Sequence, residues 1–273
     1  MKNILIKLII FLFFFYSCSG NKNKSKNTNE NVDKIIIEKQ SDTVKELSFE
    51  VINIISHNET AFTQGLIFYN GYLYESTGLE GMSKLYKIDV ETGKILKHIN
   101  LDSNLFGEGI TIVNNKIYQV TWHNQLFLQY DVNTFKKLKE VKYYGECWGL
   151  TNNDSMLILS DGSSYLRFID TNNFSVVSSK LVTYKNKQLT NINELELIGN
   201  KLFANIWGSD IIVIIDINTG KVIAQLDITE LHNIIKEESK MPDVANGIAY
   251  NSIKNTFYIT GKNWNKIFEI KIR

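Results

Sequence analysis

The sequence predicts an all-β propeller of five blades, each blade an antiparallel sheet of four strands. Three observations predict this fold. A unit of short strands and polar turns recurs five times at intervals of about 40 to 53 residues, a period typical of propeller blades. Within each unit, residues alternate between apolar and polar, as they do in half-buried strands. An unmatched strand precedes the first unit, and the last unit lacks its fourth strand.

The five units align on their opening strands, each of which begins with a small or acidic residue followed by Leu or Ile. These pairs are Gly65-Leu66, Gly109-Ile110, Gly149-Leu150, Glu194-Leu195 and Gly247-Ile248. In the first four units a third strand ends near an acid before a turn, as in KLYKIDVETGKIL. An Asp in such a turn can accept hydrogen bonds from the backbone that follows it. Four antiparallel strands repeated radially form a propeller blade.

The strand from Leu47 to Ile55 is predicted to complete the last blade, because the fifth unit stops after three strands at Arg273. Such closure leaves no open sheet edge. A helix is predicted only from Asp227 to Ser239, as a surface insertion between the fourth and fifth units.

Residues 1–17 predict a signal peptide of the lipoprotein type, because Lys2 and Lys7 come before an apolar run, Leu8 to Tyr16, that ends at Ser17-Cys18. Cys18 is the predicted lipid anchor. Phe15 and Tyr16 are bulkier than the residues that usually precede such a cleavage site, so simple secretion and a signal anchor stay open. Each alternative exports the protein, to the periplasm or cell envelope.

Residues 18–46 are rich in Asn, Lys, Ser and Glu and poor in apolar residues. A segment of this composition cannot bury enough surface to offset the entropy of ordering, so we expect a flexible tether. Residues 47–273 are long enough for a single domain with one core.

Composition excludes several functional classes. The formal net charge is +1 with charges of both signs interspersed, so no nucleic-acid surface is expected. If Cys18 is lipidated, Cys147 is the remaining one of two cysteines, and no intramolecular disulfide is expected. The four histidines lack the spacing of paired zinc ligands, and the sequence has no G-x-S-x-G nucleophile elbow.

Equivalent positions in the units lie at the same radius and height in a propeller, so two aligned columns should converge at one mouth of the channel. The first column reads Gln64, Glu108, Trp148, Asn193 and Asn246. The second reads Gly78, Trp122, Gly162, Trp207 and Lys262. Carboxamides, one acid, one cation and tryptophans are the composition of a binding pocket. Taken singly, each also has a structural interpretation, such as a core aromatic, a solvated lysine or a turn-forming Asn.

Glu108 is the candidate catalytic residue. It lies between Gly107 and Gly109 at the start of an inner strand, where aromatic neighbours would raise its pKa by desolvation. A carboxyl tuned in this way can transfer protons near neutral pH. The alternative is an ion pair with Lys262, which would hold Glu108 ionised.

Ordered motifs resemble the plant and bacterial type of glutaminyl-peptide cyclotransferase over about residues 47–272. The motifs are FTQGL, FGEGIT, CWGLT, LSDGSS, INELE, ANIW, NGIAY and ITGKNW. The resemblance implies a five-bladed propeller that converts N-terminal glutaminyl peptides to pyroglutamyl peptides and releases ammonia. It implies no required cofactor and no catalytic metal, although family members can carry a structural cation in the central channel.

The resemblance also implies which residues form the site and what they bind. Glu108 would relay a proton, and the substrate would contact Phe62, Gln64, Phe106, Trp122, Trp148, Asn193, Trp207 and Lys262. Which of Gln64, Asn193 and Lys262 stabilises the oxyanion stays open. The expected partners are peptides or proteins with N-terminal glutamine. The protein is expected to be a monomer that is attached to the membrane through the lipid anchor.

Two other functions fit a propeller. A non-catalytic envelope propeller would bind peptides or scaffold partners without releasing ammonia. A lactonase-like hydrolytic propeller would need a cluster of acidic metal ligands, and the channel offers only Glu108, with Asp161 and Glu194 nearby.

Overall fold

A computed structural model describes residues 43–239 and 241–273. The predicted signal peptide, the predicted anchor Cys18 and most of the predicted tether lie outside these described residues. Across the described ranges, no helix has both the length and the apolar character needed to cross a membrane.

The strands follow the units predicted from the sequence. Two strands come first, β1 (Lys45–Leu47) and β2 (Phe49–Ser56). The first unit folds as β3 (Thr63–Tyr69), β4 (Tyr72–Thr77), β5 (Lys84–Asp89) and β6 (Ile95–Asn100). The second unit folds as β7 (Gly107–Val113), β8 (Lys116–Thr121), β9 (Leu126–Asp131) and β10 (Lys137–Lys142). The third unit folds as β11 (Leu150–Asn152), β12 (Met156–Leu159), β13 (Tyr165–Asp170) and β14 (Val176–Leu181).

The last two units are preceded by additional elements. A short hairpin comes first, β15 (Thr183–Tyr184) and β16 (Lys187–Gln188). The fourth unit folds as β17 (Ile192–Ile198), β18 (Lys201–Ile206), β19 (Ile211–Asp216) and β20 (Lys221–Asp227). Helix α1 (Thr229–Glu238) leads to the fifth unit, β21 (Ala245–Asn251), β22 (Thr256–Gly261) and β23 (Lys266–Ile272). The predicted helix is confirmed, and it buries Leu231 and Ile235 against the core.

Four of the sheets have four antiparallel strands each. Their strand orders are β3-β4-β5-β6, β10-β9-β8-β7, β11-β12-β13-β14 and β2-β23-β22-β21. The all-β propeller with four-stranded antiparallel blades is therefore confirmed. The sheet of the fourth unit departs from the pattern and has seven strands, because β1, β15 and β16 add to its outer side next to β20. β1 begins at Lys45, two positions before the predicted start of the domain.

The opening strands of the units contact one another. Strand β3 contacts β7 and β21, β11 contacts β7 and β17, and β17 contacts β21. All seven residues of β7 are buried. Apolar side chains of neighbouring sheets pack between them, as Leu66 and Leu73 of the first unit do with Tyr258 of the fifth. This packing holds the starts of the opening strands close together.

The predicted turn chemistry is confirmed between the third and fourth strands of several units. In the first unit, Asp89 Oδ1 accepts hydrogen bonds from the backbone N–H and the hydroxyl of Thr92. Asp131 accepts the same pair of bonds from Thr134. These bonds lower the pKa of both carboxyls, because hydrogen bonds to a carboxylate favour its ionised form.

Two buried carboxyls on β17 join neighbouring sheets. Glu194 accepts hydrogen bonds from the backbone N–H groups of Leu66 (3.2 Å) and Ile248 (2.9 Å). Glu196 accepts one from the backbone N–H of Tyr250 (2.9 Å). Burial raises the pKa of Glu194 well above its ordinary value and the pKa of Glu196 to about 8, because removal from water disfavours the charged form.

We expect Glu196→Gln to stabilise the protein increasingly as the pH rises. Glu196 titrates near pH 8 in the folded protein but near about 4.3 in an unfolded chain. The folded protein therefore holds the extra proton between these values, and the Glu196 contribution to the free energy of unfolding falls across this range as the pH increases. The thermal midpoint of the variant should exceed that of the wild type by a margin that grows from about pH 5 to about pH 8.

The control is Glu59→Gln, which makes the same substitution at an exposed glutamate and should change the thermal midpoint little. A constant difference in midpoint between Glu196→Gln and the wild type across the range would contradict the raised pKa.

Candidate active site

A cavity of 480 Å³ opens where the starts of the opening strands meet. It is lined by nine residues, Phe62, Gln64, Phe106, Glu108, Trp122, Trp148, Asn193, Trp207 and Lys262. These are the residues that the resemblance assigns to substrate binding and proton transfer. The structure thus brings all of the predicted site residues together, while their chemical roles stay predictions.

Antiparallel pairing explains the convergence. Gln64, Glu108 and Asn193 lie at the second position of β3, β7 and β17. Trp122, Trp207 and Lys262 directly follow β8, β18 and β22, the strands that pair with the opening strands of their units. The start of one antiparallel strand lies beside the end of its partner. Both columns therefore reach the same end of the sheets.

Aromatic side chains form the walls of the cavity. Phe106 has edge contacts with Phe62 and Trp122, with ring centroids 6.2 Å and 5.4 Å apart. Trp148 has an edge contact with Trp207 at 6.4 Å. Edge contacts at these distances are favourable between aromatic rings. Trp207 is 51% exposed, which places it at the rim.

Two glycines in the second column make room for these walls. A Cβ atom at Gly78 would lie 2.3 Å from the ring of Phe106, and one at Gly162 would lie 2.5 Å from the ring of Trp148. Each glycine thus leaves room for the ring of an aromatic residue from another segment, Phe106 before β7 or Trp148 before β11. Neither glycine is among the predicted site residues, although the two alternate in the column with the larger residues.

We expect Gly162→Ala to impair substrate use by displacing Trp148. The new methyl group cannot fit beside the indole, and a small misplacement in a catalytic cavity can lower kcat/KM by roughly tenfold to a hundredfold. Steady-state kinetics with a glutaminyl dipeptide would measure the change.

Gly199→Ala is the matched control. Gly199 has a φ of +60° against +76° at Gly162, and a Cβ there would meet no atom within 4 Å. Both alanines adopt the left-handed backbone region, at a cost of about 1 to 2 kcal/mol, but only one would contact Trp148. Equal kcat/KM values for the two variants would show that the clash has no effect on the site.

Glu108 is buried and belongs to a chain of side-chain hydrogen bonds. Gln64 Nε2 donates to Glu108 Oε1 at 2.9 Å. Asn246 Nδ2 donates to Gln64 Oε1 at 3.2 Å. Asn246 therefore orients the Gln64 amide so that its NH₂ group points at Glu108. Asn246 belongs to the first predicted column, but it was not among the predicted site residues.

Burial controls the protonation of Glu108. Desolvation raises its pKa well above the ordinary value, the ammonium of Lys262 acts in the opposite direction, and Glu146 adds to the increase. The pKa of Lys262 is lowered, chiefly by burial, with Glu108 acting against the decrease. Among the ion pairs of the described residues, none joins Glu108 to Lys262. The Nζ atom of Lys262 lies 4.7 Å from the centroid of the Phe62 ring. The predicted alternative, a direct ion pair, is therefore not formed.

Asn193 is the fourth buried polar residue of the cavity. Its backbone oxygen accepts a hydrogen bond from Ser160 Oγ at 2.6 Å. Its side-chain Oδ1 has no hydrogen-bond partner within the described part of the chain. The Asn193 carboxamide is thus less engaged with the protein than the Gln64 carboxamide is.

Glu146 is a neighbour of the cavity that is not among the predicted site residues. Its Oε2 accepts hydrogen bonds from the indole N–H groups of Trp122 and Trp148. Glu146 lies in the segment between β10 and β11, outside the aligned columns, so repeat symmetry gave no signal for it.

The other acids near the channel are engaged elsewhere. Asp161 pairs with the guanidinium of Arg167 at 2.9 Å, and Glu194 binds backbone N–H groups. No three His, Cys, Asp or Glu side chains in the described ranges are grouped so that they could hold a metal ion. Within the described ranges the side chains therefore do not supply the acidic ligand cluster that a hydrolytic propeller would need. Burial raises the pKa of Cys147, which keeps its thiol protonated.

The fold and the cavity together define a class, a β-propeller protein with an aromatic ligand cavity around a buried carboxyl. The family model described as glutamine cyclotransferase matches residues 22–272. The glutaminyl-peptide cyclotransferase of Arabidopsis thaliana is 36% identical over 227 residues, which cover 82% of this chain and 71% of that protein. The chain belongs to the glutamine cyclotransferase family.

Two solved structures are similar to this chain. The crystal structure of Myxococcus xanthus glutaminyl cyclase is similar, with a TM-score of 0.80 and 30% identity over 84% of this chain and 98% of that chain. The β-propeller domain of Myceliophteria thermophila Cps50 is similar at a TM-score of 0.50 and 9% identity, covering 82% of this chain and 99% of that one. The second likeness concerns the fold alone.

Proposed function

We propose that this chain is a glutaminyl-peptide cyclotransferase, an enzyme that converts N-terminal glutaminyl peptides to pyroglutamyl peptides and releases ammonia. The observation that carries the proposal is the cavity, which combines a buried carboxyl with aromatic walls, a buried cation and two carboxamides. Membership of the glutamine cyclotransferase family supports the same reaction.

Binding supplies proximity. The aromatic walls enclose the glutamine side chain so that it folds back and its Cδ atom approaches the α-amine. Closure of a five-membered ring from this arrangement is intramolecular, and well-oriented intramolecular reactions gain most of their advantage from prepaid entropy. Trp207 at the rim contacts the part of the peptide nearest the opening.

Glu108 moves the proton. The neutral α-amine attacks Cδ and forms the new N–C bond, and the electron pair of the carbonyl moves to its oxygen. Glu108, ionised, accepts the proton that the attacking nitrogen loses. It then donates this proton to the departing nitrogen as the C–N bond breaks, so that ammonia leaves and Glu108 is ionised again. A carboxyl with a raised pKa suits both steps, because it can accept and donate a proton near neutral pH.

Lys262 and Asn193 stabilise the oxyanion of the tetrahedral intermediate. The Gln64 amide is already engaged at both ends, by Glu108 and by Asn246, which leaves the other two polar lining residues to interact with the oxygen. Buried donors are effective in this role, because they need no reorganisation when charge develops.

Release of ammonia from a glutaminyl dipeptide tests the proposed function. The wild-type protein should release one ammonia per peptide, and mass spectrometry should find the matching loss from the product. The same dipeptide with an acetylated α-amine is the control, since it has no nucleophile. Saturable binding of the free dipeptide without ammonia release would favour the non-catalytic propeller instead. A parallel assay with chelator shows whether the reaction needs a metal ion.

The five sheets form one ring of five blades in this proposal, and β2 closes it. The contacts between the opening strands support the ring. The antiparallel register of β2 with β23, which pairs Phe49 with Ile272 and Ser56 with Lys266, supports the closure. Because the cavity is lined by one chain, a monomer suffices for activity. An experimental structure with β2 in another sheet would contradict the closure.

The domain is exported and held at the membrane by a lipid on Cys18. The apolar run of residues 8–16 and the Ser17-Cys18 pair support this proposal. Cys18→Ser should abolish labelling by a fatty-acid analogue and move the protein from the membrane fraction to the soluble fraction. Equal labelling of the variant and the wild type would contradict lipidation at Cys18.

A further inference from the structure

Glu146 joins two walls of the cavity that come from different sheets. One carboxylate oxygen, Oε2, lies 3.0 Å from Nε1 of Trp148 and 3.4 Å from Nε1 of Trp122. Trp122 follows β8 and Trp148 precedes β11, so each indole belongs to a separate unit. Both indoles line the cavity, whereas Glu146 lies outside the lining and is exposed.

These hydrogen bonds determine how the indoles are turned. An indole has one donor and no acceptor, so its N–H direction is set by the single acceptor that it finds. The remaining ring contacts of Trp122 are a stack on His123 at 3.6 Å and the edge contact with Phe106. The ring contact of Trp148 is with the half-exposed Trp207. Gly162 leaves the room that the ring of Trp148 occupies, and Glu146 Oε2 is the acceptor toward which both indole N–H groups point.

We propose that Glu146 is a positioning residue that holds Trp122 and Trp148 in the orientation in which they enclose the substrate glutamine. This inference deepens the proposed function and rests on it. Glu146 does not contact the reacting atoms and takes no part in the proton transfer.

The charge of Glu146 gives the proposal a second, independent consequence. Three titratable groups interact electrostatically with Glu108 across the packed elements, namely Lys262, Glu146 and Cys147. The thiol of Cys147 is neutral, because burial raises its pKa. Lys262 lowers the pKa of Glu108 and Glu146 raises it. Loss of the Glu146 charge should therefore lower the pKa of Glu108.

Two variants separate the hydrogen bond from the charge. Glu146→Ala removes both. We expect the KM for a glutaminyl dipeptide to rise by roughly threefold to tenfold, the effect of losing an ordinary intramolecular hydrogen bond, with kcat within about twofold of the wild type. Glu146→Gln keeps an acceptor oxygen, so its KM should stay near the wild-type value. In both variants the acidic limb of kcat/KM against pH should move to lower pH.

Glu140→Gln is the matched control. Glu140 is an exposed glutamate on β10 whose partner is Lys137, and this variant should change neither KM nor the pH profile. An unchanged KM in Glu146→Ala, or equal increases in KM in the Ala and Gln variants, would overturn the positioning role. An acidic limb that stayed at its wild-type pH in both variants would contradict the electrostatic effect of Glu146 on Glu108.

Calorimetry measures the dissociation constant of the dipeptide whether or not the protein turns it over. It therefore tests the role of Glu146 independently of the proposed function. If the wild-type protein releases no ammonia, the proposed function fails. The dissociation constant for the dipeptide must still be higher in Glu146→Ala than in Glu146→Gln, and equal constants would overturn the positioning role.

Discussion

Glu108→Gln is expected to lower kcat by roughly a hundredfold to ten-thousandfold, the usual contribution of a positioned general acid and base. The amide can occupy the same volume and can still accept the hydrogen bond from Gln64 Nε2, so the walls of the cavity stay in place. It cannot accept the proton of the attacking amine. The effect should therefore appear in kcat, with KM changed little.

The pH profile and the stability of the variant complete this prediction. Because burial raises the pKa of Glu108, the kcat/KM of the wild type should rise with pH as Glu108 ionises, and this limb should be absent from Glu108→Gln. The variant should be as stable as the wild type or more so, since it removes a buried group whose charge is disfavoured. Glu196→Gln is the matched control, because it changes a buried carboxyl of raised pKa outside the cavity. A kcat within about twofold of the wild type would reject Glu108 as the proton carrier.

Lys262→Met is expected to lower kcat by about a hundredfold to a thousandfold, the loss that follows removal of one oxyanion donor. The methionine side chain is about as long as that of lysine but lacks the ammonium, whose Nζ lies 4.7 Å from the centroid of the Phe62 ring. The same change removes the positive charge that lowers the pKa of Glu108. The acidic limb of kcat/KM should therefore move to higher pH, opposite to the shift expected for the Glu146 variants.

Lys87→Met provides the control for this substitution. Lys87 Nζ lies 3.7 Å from the centroid of the Tyr72 ring, so both lysines lie over an aromatic ring, but Lys87 is not part of the cavity. Its loss should leave turnover and the pH profile unchanged. If Lys262→Met lowered kcat and left the acidic limb at the wild-type pH, the electrostatic link between Lys262 and Glu108 would be wrong.

Repeat symmetry explains why much of the cavity could be predicted. Seven of the nine lining residues belong to the two aligned columns, because equivalent positions of repeated sheets reach the same end of the channel. Phe62 and Phe106 came only with the family resemblance. They precede Gln64 and Glu108 by two positions, and a period of two places such residues on the same face of an extended chain. The two-residue spacing therefore indicates that Phe62 and Phe106 face the cavity, although neither residue belongs to an aligned column.

Residues outside the repeat could not be found in this way. Glu146 lies in a connecting segment, and Asn246 acts through the Gln64 amide instead of contacting the cavity. The extra strands β1, β15 and β16 were also missed, since strands of two or three residues are too short to show alternation.

The amino-acid sequence by itself determined the strand units, the turns that join them and the end of the sheets at which the unlike side chains meet, because these depend on periodicity and on residues close together in the chain. Only the tertiary structure decided how those side chains interact. Gln64 and Glu108 are 44 positions apart, and whether Glu108 is paired with Lys262 or buried near it depends on distances between separate sheets and on the exclusion of water. The protonation of the buried carboxyl is set by these distances, and no local pattern of residues records them.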